Sequence, residues 1–156
     1  MLTSKLILGF AISLSSAFYF SNTIQAFTLH KESDYLAVAK VDQEKTALEK
    51  SIANGKEVYA DFCMQCHLAS GKGDSKNFPT LDGSDWLSKK NTQSIHAIKF
   101  GQSGEIVVNG KKFNSTMPSI GLSNQEVADV MNYIRNSWSN KNPKIISLEQ
   151  VEAVKQ

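Results

Sequence analysis

The feature that most constrains this chain is a pair of cysteines three positions apart with a histidine directly behind them, Cys63-Met64-Gln65-Cys66-His67. They are the only 2 cysteines in 156 residues. A C-x-x-C-H run is the signature of covalent haem attachment, and the reason is geometric. Within one helical turn, two thiols at this spacing reach the two vinyl groups of one porphyrin. The next residue then lies under the iron, where its imidazole serves as proximal ligand. Such a tether holds the group without a large cavity, which suits a chain of about one domain's length. Three plainer readings compete. A thioredoxin-like redox pair wants a βαβ context, which this mostly helical pattern lacks. A tetrahedral zinc site wants four ligands, and the only histidines are His30, His67 and His96, with no second cysteine pair. The third is chance, weighed against two close thiols left unused. Cysteines this few and this close do not make a disulfide scaffold.

Composition narrows the class further. Hydrophobic residues make up 41% and charged ones 21%, an ordinary globular balance. The formal net charge is +2, part of it from Lys5. A nucleic-acid binder usually carries a strong basic surplus, so no nucleic-acid partner is expected. The N-terminus reads as a secretory leader. Lys5 is its only charge, Leu6 to Phe20 is apolar apart from small and hydroxyl residues, and Ile24-Gln25-Ala26 offers a cleavage site. The apolar run falls short of the roughly 20 residues a spanning helix needs. The reading is therefore a signal peptide over 1–26, a spacer over 27–50, a main domain over 51–140 and an extension over 141–156. An exported protein is expected, in the periplasm, held at a membrane only through a partner.

Along the mature chain, the spacer turns helical toward its end, with Asp42 and Ser51 as alternative N-caps. Ile52, Val58, Tyr59 and Phe62 fit one helical face, and Gly55 on that helix implies a close neighbour, since glycine there costs about 1 kcal/mol against alanine. Cys63 to Leu81 reads as loop, broken by Gly71, Gly73 and Pro79. Short helices are expected at Ser84–Lys89 and Thr92–Phe100. Asn109-Gly110 lies between two strand-like runs, the strongest local signal for a hairpin with a type I′ turn. Ser123-Asn124-Gln125-Glu126 is a capping box, followed by Val127, Val130, Met131, Ile134 and Trp138 at helical spacing. Ser147-Leu148-Glu149-Gln150 opens a short last helix.

A second axial ligand is sought among the methionines. Met64 lies inside the attachment motif, on the wrong side of the porphyrin. Met131 falls on the apolar face of the capped helix, where filling the core is the ordinary role. Met117 stands in a polar stretch, Asn114-Ser115-Thr116-Met117-Pro118, with no periodic reason to be apolar, and Pro118 stiffens the loop. Met117 is the candidate ligand; a loop methionine resting on the core is the plainer alternative. His96, between Ile95 and Ile98, is the rival ligand.

With these residues in place, 51–140 resembles the class I cytochromes c, small mono-haem proteins that act as electron carriers and as haem domains of bacterial respiratory enzymes. Gly55 and Tyr59 precede Cys63-x-x-Cys66-His67, and Phe78-Pro79-Thr80-Leu81 looks like the family's proline loop. Asn109-Gly110 and Met117-Pro118 look like its hairpin and distal loop. The resemblance implies an all-α cytochrome c fold of three to five helices around one covalently attached haem c, with a short β-hairpin before the distal loop. It implies that Pro79 accepts a hydrogen bond from His67, and that the last helix crosses the first at Gly55. It also implies electron transfer in a respiratory or dehydrogenase chain, with His67 and Met117 on the iron, and no catalysis or small-molecule substrate of its own. A haem enzyme or gas sensor with a labile sixth ligand is the alternative. The hairpin and the Asn136-Ser137-Trp138 ending look most like haem domains that work beside copper nitrite reductases or dehydrogenases, and the partners expected are redox proteins of dehydrogenase, oxidase or nitrite reductase type. Such redox partners meet through small interfaces, often under ~1,200 Å². Lys72, Lys111 and Lys112 lie near the haem-carrying stretches, where lysines either steer a partner or are simply solvated.

Overall fold

The computed structural model describes residues 37–156, so the expected leader and the first part of the spacer lie outside the described residues. The chain divides into two units, Met1–Gln43 and Glu44–Gln156. In the first, residues 37–43 are helical and exposed. The second holds everything that follows.

Helix α1 covers 44–58. It runs without a break through Ser51, so neither Ser51 nor Asp42 caps a helix start, contrary to the sequence reading. Ser51 is instead buried, for a reason given below. At Tyr59–Cys63 the backbone widens into one π turn, closed by the Met64 N–H donating to the Tyr59 carbonyl. A short α2 follows at Met64–His67. The region from Cys63 to His67 is thus helical rather than loop, and the loop begins at Leu68, whose φ is 62°. The π turn also explains a second departure. It turns Phe62 off the face set by Ile52 and Tyr59, leaving Phe62 48% exposed while Tyr59 is buried.

Helices α3 (Asp85–Lys89) and α4 (Asn91–Phe100) come next, then β1 (Ile106–Val108) and β2 (Lys111–Phe113). The strands pair antiparallel with Val108 opposite Lys111. Asn109 and Gly110 have φ of 50° and 76°, both positive, as a type I′ turn requires. A lone hairpin is marginal in water, and this one is gripped by α3. Asp85 and Asn109 exchange two bonds of 2.9 Å, and Trp86 Nε1 donates to the Val107 carbonyl at 2.8 Å.

Helix α5 (Asn124–Ile134) is the centre of the core. Its start has the capping box read from sequence, with Ser123 and Glu126 bonding each other's backbone N–H. Val127, Val130, Met131 and Ile134 recur at i, i+3, i+4 and i+7 and are all buried. Trp138 was expected on the same stripe, but α5 ends at Ile134 and Trp138 lies beyond it at φ 56°. Its ring reaches back to Tyr59 and Tyr133, with centroids 5.4 and 6.1 Å away. Helix α6 (Leu148–Ala153), also capped by a Ser-x-x-Gln box, joins the core through Val151, and Val154 just beyond it does the same. Lys99 Nζ ties α4 to it, donating to the carbonyls of Val151 and Val154 at 2.8 and 2.9 Å.

Helices α1 and α5 cross at Gly55. A Cβ there would lie 2.0 Å from the Asp129 carbonyl oxygen and 2.9 Å from Tyr133 Cβ. Only hydrogen fits. One turn earlier the crossing is polar. Ser51 Oγ donates to Asp129 Oδ1 and accepts from Asn132 Nδ2 at 2.9 Å. Asn132 also exchanges bonds of 3.0 and 2.7 Å with the Ile146 backbone. Every member is buried and partnered, the condition under which a buried polar group does not destabilise.

Candidate functional site

One deep cleft opens among these elements. It is lined by Tyr59, Cys63, Cys66 and His67 from the π turn and α2, by Phe78 to Leu81, by residues of α3 and α4, by the hairpin, and by Ser115 to Pro118. Its walls are overwhelmingly apolar. It encloses about 1030 Å³ of non-atom space, the solvent at its mouth included.

The site is built from the motif outward. His67 is buried, and its Nδ1 lies 3.1 Å from the Pro79 carbonyl oxygen. Pro79 has no N–H and a fixed φ, so this carbonyl is presented stiffly. The bond assigns the proton to Nδ1, and among the described residues no partner is recorded for Nε2. Burial pushes the His67 imidazole below its usual range, while the bond to Pro79 acts the other way. The net shift favours the neutral imidazole, the form that ligates a metal. The loop after the motif is pinned on several sides. Tyr59 Oη donates to the Leu68 carbonyl at 2.7 Å and Trp138 Nε1 to the Ala69 carbonyl at 2.9 Å.

Across the cleft, Met117 is fixed by its backbone. It pairs with Gln102 in both directions at 2.8 Å, and Ser119 Oγ donates to the Lys99 carbonyl at 2.7 Å. Met117 is partly buried against the core and also lines the cleft. The other methionines do not compete. Met131 is fully buried in α5, and Met64 is 39% exposed. His96, the rival ligand, packs its ring on Phe100 at 5.0 Å and is not among the cleft-lining residues.

Cys63 and Cys66 line the cleft wall. Burial, helped by the neighbouring Cys66, pushes the Cys63 thiol up to about 11. Redox-active C-x-x-C pairs depend on the opposite shift. Among the described residues, no group of three or more His, Cys, Asp or Glu side chains could hold a metal ion. An apolar slot with two thiols and a neutral, singly bonded imidazole on one wall is what a tethered haem needs, so the residues fit that group.

A family model described as Cytochrome c matches residues 52–138, more than half of the chain. The chain belongs to the cytochrome c family. Membership brings covalently attached haem c, for which Cys63 and Cys66 supply the attachment motif, and a role in electron transfer. It is 35% identical over 91 residues to cytochrome c-552 of Thermus thermophilus, covering 55% of this chain and 69% of that one. It is 31% identical over 105 residues to the cytochrome c subunit of the quinone alcohol dehydrogenase of Gluconobacter oxydans, covering 65% of this chain and 22% of the subunit. It is 33% identical over 106 residues to the cbb3-type cytochrome c oxidase subunit FixP of Bradyrhizobium diazoefficiens, covering 64% of this chain and 35% of the subunit. The chain thus spans about two thirds of a small cytochrome but only 22–35% of the larger subunits' length. The mostly helical architecture with one hairpin is that of this family's fold.

Sequence reasoning missed the Ser51–Asp129–Asn132 network and the hold of Asp85 on the hairpin. The first is a contact between residues about 80 positions apart and leaves no local trace. The second had a trace, an aspartate opening α3, but nothing in the chain names its partner.

The three lysines proposed to steer partners differ in their surroundings. Lys111 Nζ donates to the Ser75 carbonyl and Lys112 pairs with Glu105 at 2.9 Å, whereas Asp82 is lowered chiefly by its hydrogen bonds from Ser139, with Lys72 adding a smaller pull. The first two are held in place, which limits them as freely steering charges.

Proposed function

We propose that this chain carries one electron at a time on a single haem c, tethered through Cys63 and Cys66 and ligated by His67 and Met117. The observation that carries the reading is the cleft itself. It gathers the motif, Pro79 and Met117 from three separated stretches of chain onto one apolar surface. When bound, the haem supplies a ferric–ferrous couple. The chain's residues do the rest. His67, oriented by Pro79, would give the iron a ring nitrogen. Met117, held by Gln102, provides a thioether, which favours the reduced state and raises the potential. With His67 and Met117 both on the iron, no open site would be left for oxygen or a substrate, and catalysis by the chain alone is not expected. The apolar walls keep water from the group, and the cleft mouth gives a partner its approach.

The relatives named as dehydrogenase and oxidase subunits support redox proteins of those types as partners. A nitrite-reductase-type partner rests on the hairpin and the 136–138 ending alone. The leader-like pattern of 1–26 supports export to the periplasm. Among the described residues, no helix is long and apolar enough to cross a membrane.

The decisive experiment is on the distal ligand. The wild-type ferric protein should show the methionine-to-iron band at the red end of its spectrum, and the ferrous protein should resist carbon monoxide. Met117→Ala should abolish the band, lower the potential and admit carbon monoxide. A wild-type protein that binds carbon monoxide readily would replace electron carriage with an enzyme or sensor.

A further inference from the structure

The loop between the motif and Pro79 holds a carboxylate that the site has not yet used. Asp74 is exposed, and among the described residues it makes no ion pair. Four donors converge on it instead. Its Oδ1 accepts the backbone N–H groups of Lys76, Asn77 and Phe78 at 2.9, 2.7 and 2.8 Å. Its Oδ2 accepts from Asn77 Nδ2 at 2.9 Å. The side chain therefore closes a tight turn over 74–78, the Asx type in which aspartate stands in for backbone. The bonds from Phe78 and Lys76 come first among the causes that hold its carboxyl far below the usual carboxylate range.

That turn is locked to the motif on its other side. The Gly73 N–H donates to the His67 carbonyl at 3.1 Å. A Cβ on Gly73, which has φ 61°, would lie 2.1 Å from the Phe78 carbonyl oxygen and 2.9 Å from that of Pro79. The backbone of 78–79 thus rests directly on Gly73. The last N–H that Asp74 holds belongs to Phe78, and the next residue is Pro79, whose carbonyl faces His67 Nδ1.

We infer that Asp74 is a positioning residue for the proximal imidazole: its carboxylate closes the turn that aims the Pro79 carbonyl at His67 Nδ1. This rests on His67 being the axial ligand. A hydrogen bond on the far nitrogen raises the ring's basicity and fixes its plane, which favours ferric iron. Loosening the turn weakens that bond and moves the potential upward.

Three variants of the haem-loaded protein separate geometry from charge. Asp74→Asn keeps an acceptor oxygen at the same reach and removes the charge. Asp74→Glu keeps the charge and lengthens the reach by one methylene. Asp74→Ala removes both. Two quantities are read in each: the reduction potential, and the exchange with water of the His67 Nδ1 proton by NMR. Asp74→Ala and Asp74→Glu should raise the potential and speed ring-proton exchange, while Asp74→Asn stays at the wild-type value in both. Should Asp74→Ala lose haem, the opposed Asn and Glu variants still decide. Unchanged ring-proton exchange in the Ala and Glu variants overturns the inference, whatever the potential does. So does an Asn variant that shifts while Glu does not, which marks a through-space charge effect. The wild-type spectrum is taken first. If its methionine-to-iron band is missing, the proposed function fails; if the band is present and the variants are inert, only the role of Asp74 fails.

Discussion

Gly55 shows how much one residue decides. Its missing side chain lets the Asp129 carbonyl of α5 come within a distance no Cβ tolerates. Gly55→Leu should therefore cost at least the 1–3 kcal/mol typical of overpacking, read as a lower denaturation midpoint of the haem-loaded protein. Wild-type stability in that variant would contradict the crossing. The methionines make the complementary test. Met131 is fully buried and lies on the α5 stripe, so Met131→Leu should cost under ~1.5 kcal/mol and leave the visible spectrum unchanged. His96→Ala should leave it unchanged as well, because His96 packs on Phe100 away from the cleft. These two controls give Met117→Ala its meaning.

At the scale of elements, the caps are the strongest local statements in the chain. Both Ser123–Glu126 and Ser147–Gln150 close reciprocal boxes. Ser123→Ala removes the acceptor for a first-turn N–H and should cost about 0.5–2 kcal/mol, measured by denaturant titration with haem bound. Because α5 underlies the core, the loss should appear as global rather than local destabilisation. These helix starts, the Asn109-Gly110 turn and the α4 stop at Gly101 were legible because each depends on a few adjacent residues. The π turn at Tyr59–Cys63 was not. Nothing in Tyr59-Ala60-Asp61-Phe62-Cys63 departs from α-periodicity. The end of α5 was misread for a related reason. Trp138 continues the stripe by number, but its ring is held by Tyr59 and its Nε1 by the Ala69 carbonyl. It serves the same cluster from outside the helix.

For the molecule as a whole, the cleft wall and the core are one fabric. Tyr59, Leu87, Ile98, Val130 and Ile134 belong to both. Filling the cleft with a tethered group should therefore stabilise the entire second unit. Haem-staining after denaturing electrophoresis should colour the polypeptide band, and acid–acetone should fail to extract the colour. Cys63→Ala with Cys66→Ala should lose the stain and unfold at a lower temperature than the haem-loaded parent. Colour that washes out of the wild-type chain would remove covalent attachment from the account.

The sequence alone determined the attachment motif, the helix starts, the hairpin turn and a short list of ligand candidates. Each is a property of residues within a few positions of one another, where spacing and conformational preference suffice. Tertiary structure decided why Ser51 is buried, where α5 stops and how the α1–α5 crossing is tied together. Those outcomes depend on side chains meeting across gaps of up to about 80 residues. Their free energy comes from packing and from satisfying buried polar groups, which no local window contains.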